Sequence, residues 1–182
     1  MTAGIILAAG ASRRMGRPKA LLEYRGETFV GRLVRVLQKF CDPVIVVLGH
    51  HAAAIRDHVR AGVVVNPDPD RGQLSSLQTA LERIDSDFLF IPVDSPTVRE
   101  ETIEKLISAV GCGVVIPRYH GRRGHPVCVS RSLRADFLAL QPTAETRAAI
   151  DARPALITYL DVDDPGVLAD IDDAEAYRRI AT

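Results

Sequence analysis

The chain has 182 residues, 47% of them hydrophobic and 25% charged, and its 23 Lys and Arg balance 23 Asp and Glu. These proportions belong to an ordinary globular chain, long enough for one core that buries roughly 70% of the unfolded surface. Zero net charge argues against a dedicated nucleic-acid binder, which shows a basic excess, and against a polybasic membrane anchor.

Short, continuous apolar runs recur at Gly4–Ala9, Pro43–Leu48, Gly62–Val65, Phe88–Val93 and Gly113–Ile116. They do not alternate with polar residues, so they fit strands buried on both faces, as in a parallel sheet. Between them Val30, Leu33, Val34 and Leu37 follow helical spacing, as do Leu77, Ala80, Leu81 and Ile84, and Ile103, Leu106, Ile107 and Val110. Strand and helix in alternation predict a doubly wound, mostly parallel α/β sheet. Two further strands are expected at Pro126–Val129 and Ala155–Val162, and a last helix capped by Asp172 or Asp173. Cys41, Cys112 and Cys128 lack CxxC spacing and read as free thiols of a reducing compartment. The N-terminal apolar run is short and has no basic residue before it, so no signal peptide is expected. No run approaches the ~20 residues of a membrane helix, and the cytoplasm is the expected location.

Sheets of this kind bind ligands beyond the carboxyl ends of their strands, so the polar residues after each apolar run carry the chemistry. The first run opens into LAAGASRRMGRPK, Leu7 to Lys19. A Gly-containing loop can turn several N–H groups toward one anion, and its cations can balance a polyphosphate. The spacing is neither GxxxxGK[ST] nor GxGxxG; the alternative is a plain turn with a solvated basic rim. Ser75 and Ser76 after Gly72 could be simple helix caps. Asp94 follows the fourth run and is placed either as a turn residue or as a carboxylate for a hard cation. His125 could be structural or functional.

The string L-A-A-G-x-x-x-R-M-G-x-x-K resembles the signature loop of the nucleotidyltransferases typified by molybdenum-cofactor guanylyl- and cytidylyltransferases. NPDPDRGQLSSL (66–77), PVDSP (92–96), RGHPV (123–127) and DIDDAEAY (170–177) resemble further segments of that family, in the same order. The resemblance implies a three-layer α/β/α, Rossmann-like nucleotide-diphospho-sugar transferase fold in one domain, with residues 1–100 as the nucleotide half and 101–182 as the acceptor half bearing a C-terminal metal motif. It implies Leu7, Ala8, Ala9, Gly10, Gly16, Lys19, Gly72, Ser75 and Ser76 for the nucleotide. It places Gly124, His125, Pro126 and Arg147 near the acceptor. Arg14, Lys19 and Asp94 would be catalytic. Mg2+, with Mn2+ as the alternative, would sit on Asp94 and Asp172, with Asp170 as the second choice for the latter. LAAG, with Ala9, points to CTP rather than another NTP. The acceptor would be a phosphomonoester such as molybdopterin, with handover to a molybdenum enzyme or its chaperone.

The family's G-D-x-G-A-R pattern is not kept in PTAETRAAID (142–151), where only Arg147 matches, so a sugar phosphate or another small phosphate stays open as acceptor. A non-catalytic nucleotide- or cofactor-binding chaperone module is the rival from another class. A dinucleotide-dependent oxidoreductase is disfavoured by the missing glycine fingerprint.

Overall fold

The computed structural model describes residues 1–180. In chain order the elements are β1 (Ala3–Ala8), β2 (Glu23–Tyr24), β3 (Glu27–Thr28), α1 (Phe29–Leu37), β4 (Val44–Leu48), α2 (Ala52–Arg56), β5 (Gly62–Val65), α3 (Gln73–Leu81) and β6 (Phe88–Pro92). They continue with α4 (Glu100–Ser108), β7 (Val114–Tyr119), β8 (Arg122–Arg123), β9 (Val127–Val129), α5 (Arg134–Ala139), α6 (Thr146–Asp151), β10 (Ile157–Asp161) and α7 (Ala174–Ile180).

The main sheet has strand order β10-β7-β9-β6-β1-β4-β5, with β8 paired to β7. The β1–β4, β1–β6, β4–β5 and β7–β10 pairs are parallel. The expected strand at Pro126–Val129 starts at Val127 and runs antiparallel between β6 and β7. Strand order reverses around β1, with β4 on one side and β6 on the other, so the crevice beyond β1 and β6 is where this topology opens a ligand site.

Successive strand residues point to opposite faces, and the core divides accordingly. Ile6, Val46, Leu48, Leu89 and Ile91 pack with α1 and α4 residues such as Leu33, Leu37, Ile103 and Leu106. Ile5, Leu7, Val47, Phe88 and Phe90 pack on the other side with Leu74, Leu77, Phe137 and Ile150. This is the expected three-layer arrangement. Helix α1 forms as its spacing predicts: Thr28 caps it by accepting from the Gly31 N–H at 3.1 Å, and Val30, Leu33, Val34 and Leu37 are buried. The β2–β3 hairpin and helices α2, α5 and α6 were not expected, because each is too short to display a period. The C-terminal strand is shorter than 155–162, since a 3-10 turn occupies Pro154–Leu156.

Cys41 and Cys128 are buried and Cys112 is exposed. Burial pushes both buried thiols up to about 12. At about pH 8 only ~1 in 10⁴ of such groups is thiolate, and the thiolate is the nucleophile. Iodoacetamide should therefore label one cysteine per native chain and all three after denaturation, read by intact mass; rapid labelling of all three without denaturant contradicts the packing.

Candidate active site

The loop after β1 folds back on itself. Ser12 Oγ accepts from the Lys19 N–H at 3.0 Å, and the His51 ring Nε2 donates to the Ala11 carbonyl at 2.9 Å. Among the described residues the N–H groups of Ala11, Ser12 and Arg13 have no hydrogen-bond partner, which is the condition for an anion cradle. The loop walls a cavity of about 490 Å³, together with Gly72, Gln73, Ser76, Asp94 and Asp172.

Opposite the loop, the start of α3 is fixed from within. Asn66 Nδ2 donates to Ser75 Oγ at 2.9 Å and to Ser76 Oγ at 3.0 Å. Its Oδ1 accepts from the Asp68 N–H at 3.0 Å. Ser75 Oγ donates to the Gly72 carbonyl at 2.8 Å. Gly72 has φ 109°, a value that L side chains rarely adopt. Neither serine is a helix cap: both lie inside α3 and are buried.

Asp94 follows β6, and the segment before α7 is pinned beside it. Ile171 N–H donates to the Asp94 carbonyl at 3.1 Å, and Ser95 Oγ donates to the Ala169 carbonyl at 2.8 Å. Asp164, only 2% exposed, fixes the preceding turn by accepting from Arg99 N–H, Thr102 Oγ1–H and Gly166 N–H at 2.8–2.9 Å. Asp173 caps α7 through the N–H groups of Glu175 and Ala176, which leaves Asp172 free to turn inward. Oxygen atoms of Asp94, Asp170 and Asp172 consequently lie within 4.8 Å of one another.

Lys19 joins this cluster. Its Nζ donates to Asp94 Oδ2 at 3.0 Å and to Asp172, and Arg14 also donates to Asp172. Burial alone would lower the Lys19 pKa, yet Asp94 and Asp172 outweigh it and hold the ammonium above its ordinary value. Asp172 is held below the usual carboxylate range, first by its hydrogen bond from Lys19. Asp170 is pushed up by burial and then by the neighbouring Asp94 and Asp172 charges. Two adjacent carboxylates thus have cationic partners and the third does not. Three hard oxygen donors with incomplete charge balance fit Mg2+ or Mn2+, which favour carboxylate oxygen.

Of the expected nucleotide residues, Leu7, Ala8, Ala9, Gly10, Lys19, Gly72 and Ser76 line the large cavity, as do Arg14, Asp94 and Asp172. Gly16 does not; it turns the loop at φ 66°. Ser75 is also off the wall because its hydroxyl is committed to the Asn66 network. A second cleft of about 410 Å³ carries Asp94, Asp170, Asp172, Gly124 and His125. A slot of about 260 Å³ carries Gly124, His125 and Arg147. Pro126 lies outside both, buried just before β9. Gly124 is required sterically, since a Cβ there would meet the Val167 carbonyl oxygen at 2.2 Å. Burial lowers the His125 pKa. Asn66, which opens the 66–77 segment, together with His51 and Asp164, supports the site although no site role was expected of these three. Gln73 is a further addition, lining all three cavities.

Residues 4–156 match the family model of the MobA-like NTP transferase domain. The chain is 32% identical to nicotine blue oxidoreductase of Paenarthrobacter nicotinovorans, covering 97% of this chain and 95% of that protein. It is 29% identical to the molybdenum cofactor cytidylyltransferase of Escherichia coli K12, covering 70% of this chain and 69% of the relative. Among solved structures, Rv0371c of Mycobacterium tuberculosis H37Rv superposes with TM-score 0.85 at 30% identity, covering 99% of this chain and 96% of that one. A structure of Rv0371c in complex with manganese gives TM-score 0.80 at 28% identity, covering 99% and 97%. No helix among the described residues is long and apolar enough to cross a membrane.

Proposed function

We propose, for a chain that belongs to the MobA-like NTP transferase domain family, that it transfers the CMP unit of CTP to a phosphomonoester acceptor, molybdopterin being the first candidate. The observation that carries this reading is the meeting of Lys19 and Arg14 with Asp94, Asp170 and Asp172 beside an open N–H loop. An acceptor phosphate oxygen attacks the α-phosphorus; the bond to the β-phosphate breaks, and pyrophosphate leaves with the electron pair. No side-chain nucleophile is needed, so the work of the protein is alignment and charge neutralisation. The Ala11–Arg13 N–H groups and Arg14 hold the triphosphate, and Lys19 neutralises charge building on the leaving group. Gly72 lets the backbone approach the base. Mg2+ or Mn2+ on Asp94, Asp170 and Asp172 would supply charge stabilisation shared by both reacting phosphates; the manganese complex of Rv0371c supports such a metal.

Ala9 in LAAG supports CTP. Pyrophosphate release should be faster with CTP and molybdopterin than with GTP, or with a sugar phosphate as acceptor. Turnover with sugar phosphate alone replaces the acceptor, and faster turnover with GTP replaces the nucleotide. A second reading, oxidoreduction of nicotine blue, is favoured by the near full-length match to nicotine blue oxidoreductase. Redox conversion of nicotine blue by the chain, with no pyrophosphate release from any nucleotide pair, would establish it instead.

A further inference from the structure

The cleft that holds the three aspartates also carries Arg122 and Arg123. They sit on the short strand β8, folded onto β7 by a tight turn in which His120 and Gly121 have φ 48° and 77°. The cations around the site are otherwise committed. Arg14 and Lys19 hold Asp172, Arg118 holds Asp161, and Arg123 and Arg147 both hold Asp151. Arg122 has neither an ion pair nor a side-chain hydrogen bond among the described residues. A dianion entering a cleft with three carboxylates is repelled unless a cation on the same wall compensates, and an uncommitted guanidinium is suited to a phosphate.

The cleft continues into the slot, because Gln73, Arg123, Gly124 and His125 line both. The slot is walled by Phe90, Ile116, Val127 and Ile150. His125 Nδ1 and Thr146 Oγ1, from two residues of its wall, are buried without a hydrogen-bond partner. Buried polar atoms rarely stay unpaired, and a turn of either side chain would offer them to a ligand.

We infer that cleft and slot form one bipartite acceptor site, in which Arg122 takes the phosphomonoester dianion and the slot takes a neutral, largely apolar body with a hydrogen-bonding edge. The inference rests on the nucleotidyl-transfer reading and assigns the acceptor's contacts within it. The test is calorimetric titration of the full chain, with MnCl2 present, by phenyl phosphate, inorganic phosphate and, separately, CTP and GTP. Phenyl phosphate should bind at least ~10-fold tighter than inorganic phosphate, because its ring enters the slot. Arg122→Ala should weaken phenyl phosphate by about 10- to 100-fold, and Arg122→Lys by less. Arg83→Ala, beyond the far end of α3, should leave it unchanged, and CTP affinity should hold in all three variants. Equal binding of phenyl phosphate by Arg122→Ala and the unsubstituted protein overturns the assignment, as does equal affinity for the two phosphates. Absence of binding of both CTP and GTP by the unsubstituted protein would instead overturn the nucleotidyl-transfer reading.

Discussion

Replacing Lys19 by Met should lower turnover by about 10²- to 10³-fold and at the same time tighten Mn2+ binding to the nucleotide-free protein. The two effects have opposite signs because one ammonium serves two purposes. Without nucleotide it lies on Asp94 and Asp172, the carboxylates a divalent cation also needs, so removing it exposes the donors. With nucleotide bound it would be a fixed positive charge near the loop proposed to receive the phosphates. Steady-state pyrophosphate release measures the first effect and Mn2+ titration by electron paramagnetic resonance the second. If Mn2+ affinity falls along with turnover, Lys19 does not compete for the aspartates.

Asp94→Asn should lower turnover by about 10³-fold or more and weaken Mn2+ binding, with little loss of stability. The large effect is expected because the carboxylate is central to the charge arrangement, as catalytic metal ligands are. Stability is spared because Asp94 holds the returning segment through its main-chain carbonyl, which accepts from Ile171, and Asn keeps that carbonyl. Thermal unfolding should therefore shift by no more than a few degrees, which corresponds to about 1 kcal/mol. Activity retained within tenfold would remove Asp94 from the chemistry.

Asp94 could be read from the chain because residues just past a buried strand such as β6 face the crevice where strand order reverses, whereas Lys19, well beyond the end of β1, was marked by the motif resemblance. The C-terminal motif was legible only as a pair of alternatives. The cap on α7 decides between them, since Asp173 satisfies the helix N–H groups and frees Asp172, while Asp170 joins the cluster as well. His51 and Asp164 were not legible, because each acts through hydrogen bonds to segments that only the fold brings near, and Asn66, although it opens the 66–77 segment, gave no sign that its side chain would tie both serines. Ser75 shows the converse. Its motif position marks it as a nucleotide contact, yet its hydroxyl is committed to Gly72 and Asn66, and only Ser76 reaches the cavity wall. The neutral total charge likewise concealed the arrangement of the site, where basic residues of the first loop meet acidic residues of the last motif.

Lys19 and its partner Asp172 are 153 residues apart. A ribosome therefore exposes the first loop well before the matching carboxylate. Nascent chains can assemble β1 and its neighbouring strands while the cluster is still incomplete. The cluster is then completed in one step, when the segment carrying Asp170 and Asp172 docks beside Asp94.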